Sequence, residues 1–144
     1  MYSFVLAIHD ILRWLILIFG IIAIIRSYVG WFGNKEWTDV DDWFGLGFTI
    51  SLDVQFLLGL LLYFFLSPIT TSAFANFSAA MSDSDTRFFL IEHSLMMLVA
   101  VILAHIGRSR AKKQEEDVRK YRTTAIFYTI TVLFILAAIP WSRL

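Results

Sequence analysis

The chain has 144 residues, of which 58% are hydrophobic and only 17% charged, against roughly 45–50% and about a quarter in ordinary soluble domains. A mean hydropathy of +0.70, with 14 Phe, 5 Trp and 5 Tyr, cannot be hidden in a soluble domain this small, which leaves about a third of its unfolded surface exposed. A soluble enzyme is thereby excluded. Twelve basic and twelve acidic residues cancel, so the net charge gives no sign of a nucleic-acid partner, and with no cysteine there are no disulfides, thiolate metal sites or cysteine nucleophiles.

Four stretches, roughly 3–28, 43–66, 88–107 and 123–141, reach the length of about 20 apolar residues that a bilayer crossing needs. Their continuity, without period-2 alternation, predicts helices and not an outer-membrane barrel. The expected fold is all-α: one integral-membrane domain over 1–144, a four-helix bundle running up, down, up, down. The first stretch reads as a span and not a cleaved signal, because Met1 to Phe4 holds no basic residue and Arg13 lies inside the apolar run. Ser67-Pro68 closes the second span and Pro140-Trp141 the fourth. Between spans two and three, Phe74, Phe77 and Met81 recur at about helical spacing and predict a short amphipathic surface helix that caps the bundle. Between spans three and four, basic residues from Arg108 to Arg122 mix with Glu115, Glu116 and Asp117, which predicts helical extensions and a turn beside anionic lipid headgroups.

Lys and Arg fall unevenly outside the spans. Arg26, Lys35 and seven residues from Arg108 to Arg122 lie on one side, against Arg87 and Arg143 on the other. The positive-inside rule then places both termini outside a bacterial inner membrane. Tyr28, Trp31, Trp37, Trp43 and Tyr121 would form the inner aromatic belt, with Tyr2, Tyr63 and Trp141 at the outer interface.

Ionisable residues inside spans cost about 2.5–3.5 kcal/mol each on insertion scales and mark function or pair with one another. His9, Asp10 and Arg13 lie in the first span, Asp53 and Gln55 in the second, Glu92, His93 and His105 in the third. At about 1.5 Å per residue, His9 and His93 each come out roughly 9 Å below the outer boundary. On diagonal helices of a bundle they would confront each other across the core. That is the geometry of a bis-histidine pair, so one haem b held by His9 and His93 is the leading expectation. Gly20, Ala100 and Ala104 on the same faces would leave room for a flat macrocycle, while Ile16 would intrude, and Met96 and Met97 would line the space. Asp10 and Glu92 are placed to accept the second imidazole N–H groups. Arg13 and Asp53 count to the same depth near the middle and are expected to pair, the alternative for Arg13 being a haem carboxylate or a quinone oxygen. His105 has no histidine at its level and reads as a structural residue near the inner interface.

The stretches His9-Asp10-Ile11-Leu12-Arg13-Trp14, Leu52-Asp53 with Gln55, Leu60 to Pro68, Arg87-Phe88-Phe89 with Glu92-His93, Ala104 to Arg108 and Ile139-Pro140-Trp141 together resemble those of small four-helix bacterial membrane proteins of the cytochrome b-like type. The resemblance runs over essentially the whole chain and implies an integral-membrane b-type haem protein in respiratory electron transfer. The chain departs from the large respiratory cytochrome b pattern, which has four ligating histidines on two helices; here only one pair is present. It is also similar in layout to copper-resistance membrane proteins with histidines near the outer face.

Three functions stay open on the sequence. The first is an electron carrier or respiratory-complex subunit with cofactor-binding residues His9, His93, Arg13 and Met97, exchanging electrons with quinol or a periplasmic cytochrome. In the second, His9, Asp10, Glu92 and His93 bind or transport copper or a divalent metal. The third is a cofactor-free assembly subunit locked by its polar residues. No nucleophile–base set, phosphate loop or metalloprotease motif is present, so no catalytic residue is named.

Overall fold

The chain's only prolines stand at 68 and 140, so none of the four apolar runs carries an internal helix breaker. In the computed structural model, which describes residues 1–144, the chain is all-helical and has no strand. Helix α1 spans Tyr2–Phe32 and ends in a turn where Asn34 takes a positive φ of 48°, a conformation that asparagine tolerates better than most side chains. Helix α2 spans Asp39–Leu61 and continues into a wider π turn at Leu62–Leu66, where the Ser67 N–H donates to the Leu62 carbonyl at 2.7 Å. Three short helices follow: α3 (Pro68–Ala75), α4 (Phe77–Ser82) and α5 (Ser84–Arg87). A second π turn, Phe88–Glu92, leads into α6 (His93–Lys113), and α7 (Asp117–Ala138) completes the set before a single 3-10 turn at Trp141–Arg143.

Four continuous helical stretches, Tyr2–Phe32, Asp39–Leu66, Ser84–Lys113 and Asp117–Ala138, are long and apolar enough to cross a membrane. All four begin before the bounds that the sequence predicts, and the first and third also run past them, because hydropathy marks hydrocarbon while the hydrogen-bonded helix runs on into polar flanks; the fourth stops at Ala138, ahead of Pro140 and short of the expected 141. The expected surface helix between spans two and three is broken at Asn76, whose side chain accepts from the Ala79 N–H and starts α4 afresh. Asp83 caps α5 in the same way, and the Thr86 hydroxyl and N–H donating to it hold its carboxyl below the usual range.

Helix α1 packs against α2 and α7, and α6 packs against α7 and, more lightly, α2. Ile16, Phe48, Leu52, Ala100, Ala104 and Tyr128 form the centre of the shared core. A smaller cluster of Ala73, Ala80 and Leu90, with Tyr63 against it, seats the short helices over one end. Large apolar side chains such as Ile11, Ile18, Trp43, Leu57 and Leu133 point outward, as expected of helices whose solvent is lipid and not water.

At the opposite end the helices are tied by a buried carboxylate. Asp41, only 6% exposed, accepts from Arg26 Nε at 2.9 Å, from the backbone N–H and hydroxyl of Thr38 at 3.0 Å each, and from the Tyr121 hydroxyl at 2.7 Å. Tyr121 therefore belongs to the interior and not to the aromatic belt in which the sequence places it. A second internal bridge joins the Ser27 and Thr124 hydroxyls at 2.7 Å.

Helices α6 and α7 approach closely because Gly107 has no side chain: a Cβ there would lie 2.4 Å from the Phe127 Cβ. Small residues at such crossings let helices pack where lipid provides no hydrophobic drive. Gly107→Leu should therefore lower the thermal midpoint of the detergent-purified protein by the equivalent of about 1–3 kcal/mol, despite leucine's better helix propensity. An unchanged midpoint in a thermal melt would mean that α6 and α7 stand further apart.

Candidate functional site

The end of the molecule away from Asp41 holds a cavity of about 560 Å³, within the size range of cofactor and ligand pockets. Its walls come from α1, α2, α3, α6, α7, both π turns and the C-terminal segment, and they include His9, Arg13, Gln55, Tyr63, His93 and Arg143. Met97 and Ile16 also border it; Met96 does not. All four residues expected at a cofactor, His9, His93, Arg13 and Met97, thus meet at one space.

The imidazoles of His9 and His93 face each other with ring centroids 6.3 Å apart and planes tilted by 57°. His93 donates from Nδ1 to the Ala138 carbonyl at 2.7 Å, which fixes its ring and leaves Nε2 free. Phe88 and Phe89 flank the same ring at 6.0 and 6.1 Å between centroids. On the other wall, Gln55 Nε2 donates to the His9 carbonyl at 2.9 Å. A Cβ at Gly59 would meet only His9 Nε2, at 3.6 Å, so this stretch of α2 borders open space. Three buried polar atoms have no partner: His9 Nδ1, Arg13 Nε and Gln55 Oε1. Each belongs to a residue of this cavity, and unpaired buried polar atoms cost about 1–3 kcal/mol apiece.

Several expectations are corrected. Arg13 and Asp53 do not pair. Arg13 Nη1 donates to Asp10 Oδ1 at 3.4 Å, three residues back on its own helix, while His105 Nε2 donates to Asp53 Oδ1 at 2.6 Å. Counting residues along a helix measures depth and leaves open the direction around the axis, and Asp53 points toward α6. His105, expected as a structural residue with no histidine at its level, is one half of this cross-helix pair, whose Asp53 and His105 side chains are 43% and 49% exposed on the outer face of the helices. Asp10 and Glu92 do not orient the imidazoles either. Asp10 Oδ1 is 4.0 Å from His9 Nδ1, beyond hydrogen-bond range, and Glu92 accepts from Arg87 Nε at 3.3 Å. The set His9, Asp10, Glu92 and His93 is therefore not gathered as metal ligands, and no group of three or more His, Asp and Glu is placed to hold a metal ion.

The room expected beside Gly20, Ala100 and Ala104 is filled. A Cβ on Gly20 would strike Phe48 at 2.8 Å, and both alanines are fully buried in the core. The open space lies instead toward the short helices, where π turns widen both α2 and the entry to α6. Sequence reasoning left Tyr63 and Arg143 out of the site. Tyr63 donates to the Leu90 carbonyl at 2.9 Å, and the Arg143 guanidinium sits over the Phe89 ring at 5.0 Å. Only the terminal segment's fold back over the cavity reveals Arg143, and nothing in its sequence context signals that.

Asp53 and His105 should show energetic coupling in a double-mutant cycle with Asp53→Asn and His105→Gln, of about 0.6–1.7 kcal/mol, the range measured for polar contacts between membrane helices. The cycle of Arg13→Gln with Asp53→Asn should give none, as read from thermal unfolding of each variant. Comparison with known protein families, with curated proteins and with solved structures finds no match for this chain, so the site is interpreted from its own geometry.

Proposed function

We propose that the protein is a membrane-embedded b-type haem protein that carries electrons, its four long helices crossing a bacterial inner membrane as an up-down-up-down bundle with both termini outside. The observation that carries this reading is the facing pair, His9 and His93, at the wall of a cavity large enough for a cofactor. The residues fit such a group. His93 is anchored through Nδ1 to a carbonyl, the usual arrangement of an imidazole that offers Nε2 to a metal. His9 stands opposite, its Nδ1 without a partner, in a lining that is mostly apolar.

In this reading His9 and His93 would hold the haem, which would supply reversible one-electron chemistry when bound. Arg13 and Arg143 offer guanidinium groups to its carboxylates, and Met97 supplies deformable apolar wall. Leu6, Leu98 and Ile135 continue that apolar wall. Electrons would pass to or from a quinone or a respiratory-chain subunit at the membrane surface. The resemblance to small cytochrome b-like membrane proteins supports the same assignment.

The test is an absorption spectrum of the purified protein, oxidised and then reduced with dithionite. A reduced b-type spectrum is expected from the wild type and from His105→Ala, and its loss from His9→Ala and from His93→Ala. A colourless preparation from haem-replete cells would refute the proposal.

A further inference from the structure

A second cavity, of about 280 Å³, lies at the end tied by Asp41, where α6 passes into α7. Its lining brings three cations together with one acid: Arg108 and Lys112 from α6, Lys120 from α7, and Asp42 from α2, beside Trp37 and Tyr128. The convergence follows from helical spacing. Arg108 and Lys112 are four residues apart, as are Lys120, Thr124 and Tyr128 in succession, so each set lies along one helix face.

None of the structure's six ion pairs includes Arg108, Lys112 or Lys120. Arg108 Nη1 donates to the backbone carbonyl of Asp42 at 3.2 Å, which positions the guanidinium without neutralising it. Arg108 and the Tyr128 hydroxyl meet at Gly45, where a Cβ would come within 3.1 and 2.9 Å of them. The neighbouring acids are committed elsewhere. Asp41 is enclosed by Arg26, Thr38 and Tyr121, and Asp117 accepts from the Trp37 backbone N–H at 3.0 Å. The cavity is thus a concave, net-positive pocket at the point where the apolar part of α6 gives way to charge.

We propose that this pocket binds a phosphate group. A planar guanidinium fork and two ammonium groups are the donors that phosphate oxygens take in charge-assisted hydrogen bonds. The volume lies just below the roughly 300 Å³ at which pockets for drug-sized ligands begin, so it admits a phosphate with a short polar stem and not a nucleotide. Basic pockets between membrane helices accept anionic lipid headgroups in this way, and inorganic phosphate offers the same chemistry. The proposal does not rest on the haem reading.

Native mass spectrometry of the intact chain from neutral detergent, with equal phosphatidylglycerol and phosphatidylcholine added, tests it. The wild type should retain phosphatidylglycerol at least tenfold more than phosphatidylcholine, and the double variant Lys112→Gln/Lys120→Gln should lose that preference. Lys113→Gln/Arg122→Gln, which removes the same charge from exposed positions outside the pocket, should keep it. Lys112→Glu alone, at an exposed position where folding is not at stake, should also abolish the preference. Phosphatidylglycerol displaced by millimolar inorganic phosphate would identify a free anion as an occupant, whereas resistance to phosphate would identify the headgroup. Equal losses in the pocket and control variants, or no preference in the wild type, would overturn the proposal.

Discussion

A carboxylate inside a set of apolar helices is tolerable only when its charge and lone pairs are answered, and Asp41 is answered from three directions at once. Arg26 reaches it from α1, Thr38 from the start of its own helix, and Tyr121 from α7. Removing a partner leaves the buried carboxylate short of a donor, so the three helices cannot slide or rotate past one another there without loss. That lock propagates along the rods. From Arg26 to His9 is 17 residues of uninterrupted α1, about 26 Å at helical rise. The depth of His9 is therefore set by an ion pair at the far end of the molecule, and the Ser27–Thr124 and Tyr28–Thr129 hydroxyl contacts hold α1 against α7 beside it.

The two ends treat polar atoms in opposite ways. Around Asp41 the donors and acceptors saturate one another, whereas the structure's three unpaired buried side-chain atoms all belong to residues of the opposite cavity. In a medium without water each orphan raises the cost of the folded state, and a chain that folds by burying apolar surface gains nothing from keeping three of them together. Their grouping around one hollow is an argument for a ligand that supplies the missing partners. The two π turns belong to the same end. Leu62–Leu66 and Phe88–Glu92 each insert an extra residue per turn, line the cavity from two sides, and mark the kind of helical irregularity that is most often found at functional sites.

Those turns also mark the limit of what was legible. Length, apolarity and depth are one-dimensional properties of a sequence, and on these the chain speaks clearly: four long apolar helices, breaks at Ser67-Pro68 and near Pro140, and His9 level with His93. Direction around a helix axis is legible only if every preceding turn is regular. A π turn just before His93 changes the rotation of everything that follows it relative to the short helices, and no residue in Phe88–Glu92 announces it. Arg13, Gly20 and Asp53 lie in regular helix, and there the limit is simpler: depth alone does not say which neighbour a side chain faces, so Arg13 and Asp53 look to different partners, and Gly20, with Ala100 and Ala104, is core and not cofactor space. Small residues are ambiguous in sequence: they leave a hole or let a helix close in, and here Phe48 and Val132 had closed in.

Charge pairing inside the helices then follows a rule of economy. Arg13 takes the carboxylate one turn away on α1, and Asp53 takes the imidazole that α6 presents. The imidazole donates to the carboxylate at 2.6 Å and answers one of its oxygens across the helix interface. Such a pair can remain half exposed on the outer face of the helices, where an isolated carboxylate would be driven inward or neutralised. The case of Arg13 differs, because a guanidinium does not deprotonate in proteins. It must keep its charge, its side chain is only 11% exposed, and its Nε is unpaired beside the histidines. A permanent positive charge, only partly met by Asp10 and turned toward a largely apolar hollow, favours an occupant that carries negative charge. Under the proposed function, Arg13 joins the two imidazoles in setting what the cavity can hold.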